Sequence, residues 1–423
     1  MAGLIAQTAT APPESFLTPH DEAALLLRVA AEVEHALMVE YLYAGFSLNE
    51  AQARPEHQTL VREWRQVVMG IAREEMGHLV TVQNLLQLIG APLTLSRQDM
   101  PFDNGLQPFT FRLEPLSQKS LAKYVVAEMP SEDFLQKKEP ALWEELQPII
   151  KLAQEDNGGR ATNRVGLIYE RLQAVFDTLS AADIQADTLR YQASPSVWGL
   201  GHSEILVLTA TDRTSAKQSM LLVSEQGEGD TIDQDAVATP SHFDRFLALY
   251  RAFPADGSWA PAKPVPVDPT TQDADLGSLP PEEATALVWA KLSNQRYQMV
   301  LLYLLHALHV EAAPPSTHGL LVSWSFGEMY NLRSISDILT TQPLWRAEPA
   351  GQCAASPFEM PYSLDLPDRE ADRWRLHRDQ LQNSRLLINR LRPSAAAPHA
   401  AYLEALLRSD EKTLNIIYSM IGA

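Results

Sequence analysis

Apolar residues recur at helical spacing through Leu25, Val29, Val33, Leu37 and Tyr41, which predicts a long amphipathic helix from about Asp21 to Asn49. Thr18 or Asp21 can cap it, because each offers a side-chain oxygen to free backbone N–H groups. A second pattern runs from about Glu56 to Ile89 and stops at Gly90, with Pro92 just beyond. Further helices are predicted for Ser117 to near Pro130, Pro140 to about Gln154, Arg160–Leu179, Thr214–Gln226 and His242–Phe253. Ala91–Phe111 reads as an ordered loop or short β excursion, and Glu204–Ala210 (EILVLTA) as more strand-like than helical. After the Pro- and Asp-rich stretch Pro254–Pro281, helical patterns return near Glu282–Val310, His318–Thr340, Arg369–Leu391 and Pro398–Ile421. Pro398 suits the first turn of the last one, where its missing N–H costs nothing.

The fold class is therefore mainly α. The expected organisation is a metal-binding bundle over residues 1–253, a linker or surface crossing over 254–281, and a C-terminal helical extension over 282–423. The extension is expected to pack on the bundle, because its segments are too apolar to stand alone. At 423 residues, one elaborated domain or two packed units are the priors.

Charge and cysteine content narrow the function. A net charge of −19 argues against nucleic acid, because phosphate binding needs a basic face, and it disfavours an anionic membrane surface. The most apolar stretch, Met299–Val310, is interrupted by His306 and His309 and is too short to span a bilayer. Met1–Pro19 has no signal-peptide pattern, so a soluble cytoplasmic protein is expected. The single cysteine, Cys353, can make neither an intramolecular disulfide nor a cysteine-based zinc or iron–sulfur site.

Oxygen and nitrogen donors remain. A dinuclear site in a helix bundle takes a Glu from each of two helices and Glu-x-x-His from each of two others. Glu75 and His78 supply one such pair, three residues apart on one face and flanked by Ile71, Val82 and Leu85. Glu74 competes with Glu75, being four residues before His78. On the first helix Glu34 shares a face with Met38 and Tyr41, whereas Glu40 is turned to another face. Tyr41 is either a phenol beside the site, with a catalytic part, or a plain core aromatic. Glu170, between Leu167 and Ala174, is the candidate second bridging carboxylate, with a partly exposed Glu as the alternative. The fourth position is irregular: Glu225 sits at the end of its helix near Glu228, and His242 would have to fold back to complete the site. The donor set Glu34, Glu75, His78, Glu170, Glu225 and His242 suits iron or manganese better than structural zinc.

The stretches VEHALMVEYLYAGFSL, IAREEMGHLVTVQNLLQLIGAP, FRLEPLSQKSLAKYVVAEMP, VGLIYERL and LLVSEQGEGD…SHFDRF resemble the ferritin-like domain of the iminophenylpyruvate dimer synthases. That family includes the chromopyrrolate-type enzymes of violacein and indolocarbazole biosynthesis. The resemblance covers about residues 20–250. SNQRYQMVLLYLL and the AGQCAASPFE segment look like the helical extension of such proteins. It implies a ferritin-like four-helix bundle with loop insertions and additional C-terminal helices, and it implies the same six ligand positions for a dinuclear non-haem iron centre. The expected function is an oxidoreductase that uses O2 or peroxide on a small, amino-acid-derived metabolite. Trp64, Trp143, Trp198, Trp324 and Tyr303 are candidate pocket walls, and assembly into a homo-oligomer is compatible with this reading. The alternatives are a ferroxidase or iron store, and a scaffold of the same fold without organic-substrate catalysis.

Overall fold

The computed structural model describes residues 17–99, 105–198, 205–229, 240–254, 258–272, 274–311, 317–345, 351–361 and 363–422. Thirteen α-helices fill these residues: α1 Pro19–Ser47, α2 Gln58–Leu88, α3 Gln118–Glu128, α4 Glu132–Lys138, α5 Pro140–Asp156, α6 Gly166–Thr178, α7 Pro195–Trp198, α8 Arg213–Glu228, α9 His242–Ala252, α10 Pro281–Ala307, α11 Thr317–Leu339, α12 Glu370–Leu391 and α13 Ala397–Gly422. Two isolated β-bridges, Leu48 with Ala262 and Pro343 with Cys353, are the only extended pairings among the described residues. The fold is mainly α, as the periodicity predicts.

Glu204, the first residue of the expected strand, lies outside the described residues, and Ile205–Ala210 is extended coil without a strand partner. Side chains of α2 take its backbone instead. Thr81 Oγ1 donates to Leu206 O and accepts from Leu208 N, and Asn84 Nδ2 donates to Leu208 O. These bonds satisfy the polar backbone that a second strand would otherwise have to pair. Gly77 permits the approach, since a Cβ there would come within 2.6 Å of Leu206 O.

The start expected at Arg160 moves to Gly166. Gly158 and Gly159, at φ of 68° and 81°, turn the chain out of α5. Asn163 and Val165 then spend their N–H groups on Pro108 O and Ala127 O. The short α4 was not anticipated; it is capped by Ser131, which accepts from Phe134 N.

The chain divides into two compact units that do not follow chain order. Unit 1 comprises Met1–Tyr41, Gln66–Phe111 and Leu116–Ala260; unit 2 comprises Leu42–Arg65, Arg112–Pro115 and Pro261–Ala423. In unit 1, α3 packs on α5 and α9, while α8 packs on α6 and α9. From Val33 to Tyr41, α1 is buried on every side, as a helix at the centre of a bundle must be.

In unit 2, α10 packs against α11 and α12, and α12 against α13. The Pro-rich residues after Ala260 are held within this unit. Lys263 N donates to Ser47 O, Tyr43 Oη donates to Pro266 O, and Cys353 N donates to Pro264 O. At the centre Arg296, fully buried on α10, reaches Glu328 of α11 at 3.0 Å, Ser384 of α12 at 2.7 Å and Asp410 of α13 at 2.6 and 2.8 Å. One guanidinium thus ties four helices, with burial offset by two carboxylates.

Arg296→Met strands Glu328 and Asp410 without a counter-charge and is expected to cost about 3–5 kcal/mol of stability by chemical denaturation. Replacing Glu328 and Asp410 by Leu in the same chain is expected to recover most of that loss. An equal loss in the triple variant would mean that the side-chain volume, not the charge, matters.

Candidate metal centre

The site in unit 1 is built from helix faces that are apolar except where they meet. Glu34 comes from α1, Glu75 and His78 from α2, Glu128 from the last position of α3 and His242 from the first of α9. Each is at most 3% exposed. Pro130 fixes where α3 stops, because the residue before a proline avoids the helical region, and Met129 is accordingly extended at ψ of 150°. Gly229, at φ of 70°, ends α8, and a Ser241–Asp244 capping box starts α9 so that His242 enters the interior.

Two groups of donors result: Glu34, Glu75 and His78, and Glu75, Glu128 and His242, with donor atoms inside each group within 4.8 Å of one another. Glu75 belongs to both. Its Oε2 lies 3.0 Å from His78 Nδ1, and its Oε1 lies 2.8 Å from His242 Nδ1. His78 Nδ1 is also 3.5 Å from Glu34 Oε2, and His242 Nδ1 is 3.6 Å from Glu128 Oε2. The imidazoles stack with centroids 5.4 Å apart.

Four of the five donors are oriented from behind. Tyr169 Oη donates to Glu34 Oε1 at 2.5 Å, and Tyr41 Oη donates to Glu128 Oε1 at 2.6 Å. His78 Nε2 lies 2.8 Å from Gln226 Oε1, and His242 Nε2 lies 3.0 Å from Glu74 Oε2. Arg245 grips Glu74 with two bonds of 2.9 and 2.5 Å. Both imidazoles therefore turn Nδ1 inward and spend Nε2 on an outer acceptor, the usual way a ligating histidine is fixed in tautomer and direction.

The electrostatics follow from three carboxylates in one dry space. Burial and the facing Glu75 push the Glu34 carboxyl up to about 8 against the pull of His78. Burial also penalises ionised Glu75, but His242 and His78 outweigh it and hold Glu75 well below the usual range. Burial works against charge on His78, and Glu75 and Glu34 overcome it, carrying His78 up to about 10; His242 is raised well above its ordinary value by Glu75, Glu128 and Glu74 in the same way. Burial opposes ionised Glu74 too, yet His242 and Arg245 bring it down to about 2.

Of the residues expected from sequence, the structure gathers Glu34, Glu75, His78 and His242, with Tyr41 adjoining through Glu128. Glu170 is elsewhere. It is exposed and bonds Arg164 at 2.7 Å, because Leu167, Glu170 and Ala174 form the outer face of α6. The buried stripe is Ile168, Tyr169, Leu172, Val175 and Phe176, so Tyr169, one position away, takes the inward place. Glu225 is partly exposed and belongs to neither donor group; its neighbour Gln226 reaches the site instead. Glu40 is also buried, yet outside both groups. Glu128 was missed, although Leu121, Tyr124 and Val125 precede it at offsets of seven, four and three on a buried face.

The cavity beside these donors is lined by Glu34, Glu75, His78, Glu128, Val165, Gly166, Tyr169, Val223, Ser224, Gly227 and Glu228. Its free space of about 10 Å³ is roughly that of one water. None of Trp64, Trp143, Trp324 and Tyr303 lines it, and the Trp198 side chain lies outside the described residues. The donor set could hold metal: buried carboxylates and imidazoles on four helices converge on one space, with the donor atoms of each group within 4.8 Å of one another. Carboxylates with imidazoles suit iron or manganese.

A family model described as ferritin-like matches residues 27–251, more than half of the chain. The chain belongs to the ferritin-like family. This ferritin-like chain is 25% identical over 367 residues to a dichlorochromopyrrolate synthase of Lentzea aerocolonigenes, covering 79% of this chain and 35% of the synthase. It is 30% identical over 131 residues to a 2-imino-3-(indol-3-yl)propanoate dimerase of Chromobacterium violaceum, covering 25% of this chain and 13% of the dimerase. The chain thus spans about a third of the length of the first of these relatives and less of the second. A crystal structure of a ferritin-like protein from Caulobacter vibrioides superposes with a TM-score of 0.47 at 16% identity, over 77% of this chain and 98% of that one. No helix among the described residues is long and apolar enough to cross a membrane.

The raised groups set a pH dependence for the metal-free protein. Between the ordinary and shifted values, Glu34 (4.5 to about 8) and His78 (6.5 to about 10) hold more protons folded than unfolded. Stability must therefore fall as pH rises through those windows. The expected outcome is a metal-free melting temperature that declines from about pH 6.5 to 10 by this linkage, with the decline weakened in His78→Ala. A flat profile in the wild type would contradict the protonation pattern.

Proposed function

We propose that this ferritin-like chain is a non-haem di-iron oxidoreductase that uses dioxygen or peroxide to oxidise a small, amino-acid-derived metabolite in natural-product biosynthesis. Manganese is the other ion that suits the donors. The observation that carries the reading is Glu75, shared by two buried carboxylate–imidazole groups that converge on one space. Glu34 and His78 would hold one ion, Glu128 and His242 the other, with Glu75 between them. When bound there, two such ions would supply redox chemistry towards dioxygen or peroxide, with the substrate as the source of the electrons.

The protein's part is to aim and to dry. Tyr41 and Tyr169 each hold their phenolic proton on an outer carboxylate oxygen, Glu128 Oε1 and Glu34 Oε1, which leaves the other oxygen for the shared space. Both phenols are held well above their ordinary pKa by burial and by these carboxylates, so each stays a donor at neutral pH. Gln226 and Glu74 keep the imidazole Nδ1 atoms inward. The free space beside the donors, about 10 Å³, has room for about one water-sized molecule.

The substrate class comes from the relatives. One is named for making dichlorochromopyrrolate and the other for dimerising an indole-bearing imino acid. We take from these names a small carboxylic acid as the substrate class for this chain, with the imino acid of the second as the model. An iron store is disfavoured by the chain's second bundle, α10–α13, which a compact cage-forming subunit does not need.

Anaerobic loading with ferrous iron, followed by metal analysis and oxygen-electrode measurement, tests the reading. Two irons per chain and oxygen uptake are expected in the wild type and in Glu170→Ala. His78→Ala, Glu75→Ala and Glu128→Ala should lose iron and at least about tenfold of the uptake rate while keeping helical content. Two irons retained in all three variants would defeat the assignment, and loading far beyond two would favour storage.

A further inference from the structure

We propose that Glu370, His306 and His377 form an acid-released latch that fastens the start of α12 to α10 in unit 2. His306 and His377 are fully buried, and neither belongs to the metal centre of unit 1. His306 Nε2 faces both oxygens of Glu370 at 3.0 Å, and His306 Nδ1 lies 2.9 Å from His377 Nε2. The two imidazoles stack with centroids 5.1 Å apart. Tyr303 and Trp324, expected from sequence to wall a pocket, stand here instead, together with Trp374. Ring centroids lie 4.8 Å apart for Tyr303 and His377, 5.0 Å for Trp374 and His306, and 5.4 Å for Tyr303 and Trp324.

Counting protons shows what this chain of bonds can hold. A carboxylate only accepts, so His306 carries its proton on Nε2. Its Nδ1 is then an acceptor, and His377 donates to it from Nε2. His377 Nδ1 is left as a bare lone pair, buried and without a hydrogen bond among the described residues. A second proton on His306 forces the His377 proton over to Nδ1, and a proton taken by His377 itself also goes to Nδ1. Either charged form leaves a buried N–H among aromatic rings with no acceptor, which costs more than the neutral arrangement.

The surrounding charges do not relieve that cost. Glu370 and Arg373 face His306 from α12 and His309 faces it from α10, while His318 of α11 is taken up by the Ala307 and Val310 backbone. Burial lowers His306 against the pull of Glu370, and burial together with His306 holds His377 down to about 3. For histidines lowered on folding, stability is complete above the ordinary value of 6.5 and is lost as pH falls below it. Glu370 is half exposed and has Arg373 at 3.5 Å, so the latch meets solvent at that end and Glu370 keeps a partner once His306 lets go.

The test is hydrogen–deuterium exchange of the full chain, read by mass spectrometry on peptides from α12 and corrected for the intrinsic effect of pH, with circular dichroism as the check on folding. Between about pH 7.5 and about pH 5, exchange at the start of α12 is expected to speed up at least about tenfold in the wild type. His377→Gln should lose most of that acceleration, because its amide donates to His306 or, turned over, accepts from it. The double variant His306→Gln with His377→Gln should lose it as well, whereas His309→Gln should keep it. No acceleration in the wild type would overturn the proposal. Acceleration undiminished in His377→Gln would overturn it too, because the opening would then belong to other groups. A loss in His309→Gln as large as in His377→Gln would do the same, and if the double variant does not fold at about pH 7.5, His377→Gln alone decides.

Discussion

Three glutamates facing one another in a dry bundle are unstable unless something supplies positive charge between them, and the rest of unit 1 is arranged around that constraint. Glu75 is the pivot, with one oxygen towards each imidazole. Tyr41 and Tyr169 tie down the outer oxygens of Glu128 and Glu34, so these carboxylates cannot relax apart. Arg245 neutralises Glu74, which in turn aims His242. Without ions the cluster balances itself with protons, which is why Glu34 and His78 are both raised. A divalent ion and those protons compete for the same atoms.

Unit 2 meets a similar problem with a different answer. Glu328 and Asp410 are buried there as well, but Arg296 carries the compensating charge inside the protein, and its two Nη groups are spent on those carboxylates and Ser384. Such a group is closed and leaves no inward oxygen for a ligand. In unit 1 the groups that face Glu34, Glu75 and Glu128 are the imidazoles of His78 and His242, whose Nδ1 protons a metal ion could replace. The contrast separates a structural ion cluster from one suited to hold something.

Membership of the ferritin-like family fixes an architecture that can host metal, and a fold alone does not name a reaction. The biosynthetic reading draws on relatives of which this chain spans 35% and 13%. What this chain contributes from its own residues is an asymmetric donor set. Three carboxylates and two imidazoles are in place, and the wall carries Glu228 where a more regular bundle would offer a second Glu-x-x-His.

Local periodicity by itself determined the long helices but not the short α4 and α7, because burial of one face imposes a legible 3.6-residue pattern only over several turns. It also carried Glu34, Glu75 and His78, which sit within apolar stripes on long helices, although Glu74 stayed open beside Glu75. The thirteen-residue α6 was different: two stripes offset by about 100° both looked apolar, and only packing against α8 decided that Tyr169 faces in and Glu170 out. Glu128 and His242 sit at helix ends, where a capping box, a proline and a left-handed glycine set the direction of entry. Pairings such as Glu74 with Arg245, Gln226 with His78 and Arg164 with Glu228 span from 64 to 171 residues. No local pattern encodes contacts of that separation, since the tertiary packing of different helices alone brings those atoms within hydrogen-bonding range.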